Sequence, residues 1–121
     1  MIPMSQRLYM STVCAGDTEM AEKYGLGLEI AEYCTAFNMD TYFAETDKTV
    51  RKKMESAGHF TFHFPFNELC PAAIDPLVVE ITERRYLQAL DVAEKYGITR
   101  LVVHSGYVPL VYYKEWFTEK S

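Results

Sequence analysis

His59-Phe60-Thr61-Phe62-His63-Phe64-Pro65-Phe66-Asn67-Glu68-Leu69-Cys70-Pro71 decides how this chain is read. It predicts a buried strand that ends in a histidine and then enters a loop carrying a carboxylate and a thiol. Alternation puts Thr61 and His63 on one face, with Phe60, Phe62 and Phe64 on the other. Arg100-Leu101-Val102-Val103-His104-Ser105-Gly106 has the same form. There Val102 and His104 share a face, opposite Leu101 and Val103. The phenylalanines and leucines suit packing against helices, which leaves both histidines on the other side. Two strands that each deliver a histidine at the carboxyl end are the main chemical clue.

Working outward, Leu8 to Val13 is a short apolar run bounded by Cys14-Ala15-Gly16 and reads as strand one. Asp17 or Thr18 caps a helix from Glu19 to Tyr24, with Gly25 as its left-handed stop. Leu26 to Tyr33 follows as strand two, and Cys34 to Asp40 as a loop. Thr46 or Asp47 caps a second helix with Val50, Met54 and Ala57 on one side, ended by Gly58. Asp75-Pro76 has the composition of a helix start, and the helix it opens runs to Tyr96. Its expected apolar stripe is Ile81, Tyr86, Leu90 and Ala93. Gly97 ends it before strand four, and Leu110 to Lys120 reads as an aromatic-rich last helix. Ala21-Glu22-Lys23-Tyr24-Gly25 recurs as Ala93-Glu94-Lys95-Tyr96-Gly97, each time as a helix end before a strand.

At 121 residues the chain is one domain, 1–121, with room for a modest core. Net charge is −5, which argues against non-specific binding to nucleic acid or an anionic membrane. The three cysteines are widely spaced with no CxxC, so reduced thiols in a cytoplasmic protein are expected. No apolar run approaches a membrane span, and residues 1–7 lack signal-peptide features.

Four strand-then-helix units of about 30 residues each imply a parallel sheet covered by helices, about half of an eight-unit barrel. A small open three-layer α/β sheet is the alternative, although Val13-Cys14-Ala15-Gly16-Asp17 makes a poor phosphate loop. Gly27-Leu28-Glu29-Ile30, His63 to Pro71 and Val102-Val103-His104-Ser105-Gly106-Tyr107, in this order, resemble the first half of the xylose isomerase-like barrels. That superfamily holds sugar phosphate isomerases and epimerases and the endonuclease IV-type apurinic endonucleases. The resemblance implies a parallel (β/α)4 half of a TIM barrel, strands one to four with covering helices. It also implies a divalent metal (Mn, Mg, Co or Zn) at the carboxyl ends of the strands, where His63 and His104 match two family positions. The family's key carboxylates and further histidines come mostly from strands five to eight, which this sequence does not contain.

Adjacent strands lie about 4.8 Å apart, so imidazoles at matching heights are placed to share one metal or one substrate oxygen. Satisfied interior histidines are the alternative. Glu29 shares a face with Gly27 and Ala31, and a carboxylate inside a sheet needs a partner or a metal. Glu68 lies in a loop of the kind that carries barrel chemistry. Both are candidate catalytic carboxylates, and Glu32 is either near the mouth or solvated. Cys70 has nothing that orients a base toward it, and it reads as a small buried hydrophobe.

Two functions follow. In the first, a metal holds a small sugar or sugar phosphate while a carboxylate moves the adjacent proton. Cleavage at abasic DNA is a related outcome that the acidic charge disfavours. In the second, the chain is a non-catalytic half-barrel that pairs with itself as a homodimer or with a complementary half-barrel, because strands one and four are open edges.

Overall fold

The computed structural model describes residues 1–121. Its centre is a four-stranded, all-parallel sheet of order β1-β2-β3-β4: β1 Tyr9–Ser11, β2 Gly27–Ile30, β3 Phe60–His63 and β4 Leu101–Val102. Between and after the strands lie α1 Asp17–Tyr24, α2 Ala36–Met39, α3 Phe43–Met54, α4 Pro76–Lys95 and α5 Lys114–Lys120. The chain is therefore an α/β protein. No helix is long and apolar enough to cross a membrane.

One face of the sheet makes the core. Leu28, Ile30, Phe62 and Phe64 are buried there against Ala21 of α1, Val50 of α3, and Ala89, Val92 and Ala93 of α4. Tyr33, just past β2, is fully buried and stacks on Phe62 at 5.7 Å. The other face carries Ser11, Glu29, Thr61, His63 and Val102, all half-buried, and none belongs to the core. Register confirms the division: Ser11, Glu29 and Thr61 are neighbours across three strands, as are Ile30, Phe62 and Leu101 on the packed side.

The strands are shorter than the apolar runs that announce them. β2 stops at Ile30 because Glu32–Cys34 turn into a 3-10 helix, and β4 keeps only two residues of its expected run. α3 begins at Phe43, three residues before the expected caps. Thr46 is buried within it, and Asp47 instead accepts hydrogen bonds from Arg51 and Tyr96. A four-residue helix occupies part of the expected loop. Asp75 does cap α4, its carboxylate accepting from the Leu77 N–H at 2.9 Å.

The apolar stripe of α4 requires a correction. Ala93 is buried and Tyr86 packs against the core as expected, but Ile81 and Leu90 are exposed, and Thr82, Ala89 and Val92 are the other buried positions. Ala89, Val92 and Ala93 fill the core side of the helix with Tyr86 packed beside them, and Ile81 and Leu90 point away from it.

The repeated pentapeptide does the same job twice. Gly25 and Gly97 adopt φ of 64° and 68°, and the next amide donates five residues back, Leu26 to Ala21 and Ile98 to Ala93. This is the left-handed helix stop with its characteristic long bond.

Candidate metal centre at the carboxyl ends of the strands

His63 is the last residue of β3, and its register partner is Val102 rather than His104. His104 stands two residues beyond, so the imidazoles are staggered rather than at matching heights. They meet nonetheless: their Nε2 atoms are 3.0 Å apart and their ring centroids 4.9 Å. The Tyr86 hydroxyl of α4 steadies His104 by donating to its carbonyl at 3.2 Å. Phe66 walls the pair, 5.3 Å from His63 and 4.5 Å from His104 between centroids.

The other nitrogen of His63 has two contacts. Nδ1 lies 3.1 Å from the Phe64 carbonyl oxygen and 2.8 Å from Cys34 Sγ. A carbonyl only accepts, so the Phe64 contact requires a proton on Nδ1, whereas a Cys34 thiol that donates requires Nδ1 bare; the two contacts call for opposite tautomers. Burial first, then the Glu29 and Glu32 carboxylates, pushes the Cys34 thiol up to about 11. It is therefore a protonated neighbour at neutral pH.

Two nitrogens about 2.0–2.1 Å from one ion, subtending about 90–110°, stand about 2.9–3.4 Å apart. The observed 3.0 Å falls in that range. No group of three or more His, Cys, Asp or Glu side chains converges to hold a metal ion. The chain thus brings together two candidate ligands, fewer than a coordination shell needs.

The candidate carboxylates are not brought to this pair by any hydrogen bond or ion pair. Glu29 lies on the polar face beside Thr61, whose buried hydroxyl has no partner. Glu68 is exposed in the loop after β3 with a left-handed φ of 65°, lining a cavity that also touches Phe66 and His104. Cys70 is buried, its N–H donating to Thr82 Oγ1.

A second cluster lies just past β1 and β2. Lys53 Nζ is 2.9 Å from Asp17 Oδ2 and 3.1 Å from Glu32 Oε1, and it donates to the Thr12 carbonyl at 2.7 Å. The other Glu32 oxygen accepts from Thr12 Oγ1 at 2.6 Å. Burial lowers the Lys53 pKa, but Asp17 and Glu32 outweigh it and leave it raised. Glu32 is therefore paired and not solvated. Neither this cluster nor Cys34 carries a local signal, because the partners are 20 to 41 residues apart in sequence for Thr12–Glu32 and Thr12–Lys53, and 29 for Cys34–His63.

No family model matches the chain, and no curated protein matches it. Among solved structures it is similar to the TTHB071 protein from Thermus thermophilus, in a structure soaked with zinc chloride. Identity is 26% and the TM-score 0.60, over 87% of this chain and 41% of that one. The chain thus spans less than half the length of that protein.

Proposed function

We propose that this chain is the first half of a (β/α) barrel of the xylose isomerase-like type, with His63 and His104 as metal-holding residues at its mouth. In the completed barrel the substrate class is a small sugar or sugar phosphate, and the reaction an isomerisation or epimerisation. The observation that carries this reading is the 3.0 Å approach of the two Nε2 atoms at the carboxyl ends of adjacent parallel strands. Sequential strand order with the core on one face supports a curled barrel layer, since a doubly wound sheet is covered on both faces.

The residues fit half of a divalent-metal site (Mn, Mg, Co or Zn), and further ligands must come from elsewhere. A bound cation supplies Lewis acidity toward a carbonyl oxygen. The chain's own contribution is orientation. The Phe64 carbonyl and the Cys34 thiol hold the His63 ring at Nδ1, and Phe66 covers both imidazoles on one side. Glu29 and Glu68 are the carboxylates of this reading that move protons.

The incomplete shell favours a second reading, a non-catalytic half that pairs with another copy or with a complementary half-barrel. β1 and β4 are the sheet's edges, and Leu101 and Val103 are exposed there.

Zinc is the first ion to try. Calorimetric titration with zinc and cobalt is expected to give one site per His63–His104 pair, weakened at least tenfold by His63→Ala or His104→Ala. No binding by the unaltered chain contradicts the metal assignment. Turnover of sugar phosphates with Mn or Co, lost in both variants, supports the enzyme. Metal binding without turnover, with a dimer by light scattering, supports the pairing half.

A further inference from the structure

The opposite end of the sheet holds a cavity of about 750 Å³ lined by Gln6, Arg7, Tyr9, His59, Thr99 and Arg100, together with apolar and glycine positions. No aspartate or glutamate lines it, in a chain with 17 acidic and 12 basic side chains. The five arginines divide accordingly. Arg51, Arg84 and Arg85 each pair with a carboxylate, at 3.1, 2.7 and 2.9 Å. The two that line the cavity, Arg7 and Arg100, have no carboxylate partner.

The cavity lies against the starts of β1 and β3 and the residues that lead into β3 and β4. Arg100 donates to the Tyr9 hydroxyl at 2.8 Å, and Tyr9 meets His59 edge to face at 5.1 Å between centroids. Their contact passes over Gly27, where a Cβ would fall 2.6 Å from both rings. His59 Nε2 is buried without a hydrogen-bond partner, although buried ring nitrogens normally have one. Along β2 the one acid is Glu29, two residues beyond Gly27.

We propose that this cavity binds a small oxyanion, the phosphate group of a small molecule. Two guanidinium groups without carboxylate partners supply charge and planar paired donors, the chemistry that recognises phosphate oxygens. The Gln6 amide and the Thr99 hydroxyl add uncharged donors. The site is independent of the histidine pair at the other end of the strands.

The test is titration of the 121-residue chain with inorganic phosphate and with glycerol 3-phosphate at constant ionic strength, followed by amide NMR shifts. Saturable shifts are expected at Gly58, Gly97 and Thr99, with affinity reduced at least fivefold by Arg100→Gln and by Arg7→Gln. Tighter binding of the ester identifies a phosphate monoester as the ligand, and equal binding identifies the free anion. His63→Ala is expected to leave the titration unchanged, so loss of the metal site and loss of this site are distinguishable. Absence of saturable shifts with both probes, or less than a fivefold effect in both arginine variants, overturns the proposal. Both arginines are exposed, and folding of each variant is checked by the unchanged dispersion of the core amides.

Discussion

The two faces of this one sheet have opposite chemistry. On the packed face Leu28, Ile30 and Phe62 are fully buried beneath three helices. On the other, one residue along each strand, Glu29, Thr61 and His63 are half-exposed and polar. Because side chains alternate along a strand, a single pattern supplies both a core and a polar surface. Stability should therefore depend on one face and ligand binding on the other, and substitutions can separate them.

The largest effect is expected at Phe62. Phe62→Ala removes a fully buried ring that stacks on Tyr33 and touches Phe64 edge to face, and should cost about 3–5 kcal/mol in chemical denaturation. A loss below about 1 kcal/mol would mean that the packed face is not the source of stability.

Next is Gly27, where the polar face itself is tightly packed. Gly27→Ala forces a methyl against the Tyr9 and His59 rings and is expected to destabilise by about 1–3 kcal/mol. Gly58→Ala meets nothing within 4 Å and serves as the control. Equal effects at the two positions would break the claim that Tyr9 and His59 close over β2.

How far the sequence is legible differs along the same lines. The alternation in residues 60–64 assigns each side chain to its face correctly, since a period of two needs no knowledge of partners. The histidine neighbourhood is legible for the same reason. Its stagger is not, because register depends on how β4 slides against β3. The α4 stripe is legible in part: Tyr86 and Ala93 pack on the core, but Ile81 and Leu90 lie outside the buried side of the helix. Ala89, Ala93 and Thr82 face the sheet, while Ile81, Leu87 and Leu90 look outward. Cys34 and Lys53 join their clusters only through long-range folding, which no local pattern encodes.

The smallest effect concerns Cys34. Its thiol is raised from an ordinary value of 9.0 to about 11, so between these values the unfolded chain loses this proton before the folded one does. This contribution to stability is intact below pH 9 and falls as pH rises toward 11. Alkylation of Cys34 in the folded chain should keep accelerating up to about pH 11, and Cys34→Ser should remove the alkaline loss. A rate that levels off below pH 9 would place the thiol outside the buried, carboxylate-flanked position described.

The three histidines provide the most direct test of the central claim, that the polar face presents a two-imidazole metal position at the carboxyl ends of the strands. Long-range 1H–15N spectra can follow each ring nitrogen as zinc is added. The account predicts that the Nε2 signals of His63 and His104 shift together and that His59, at the other end of the sheet, does not respond. Shifts of His59 equal to theirs, or none at His63 and His104, would contradict it.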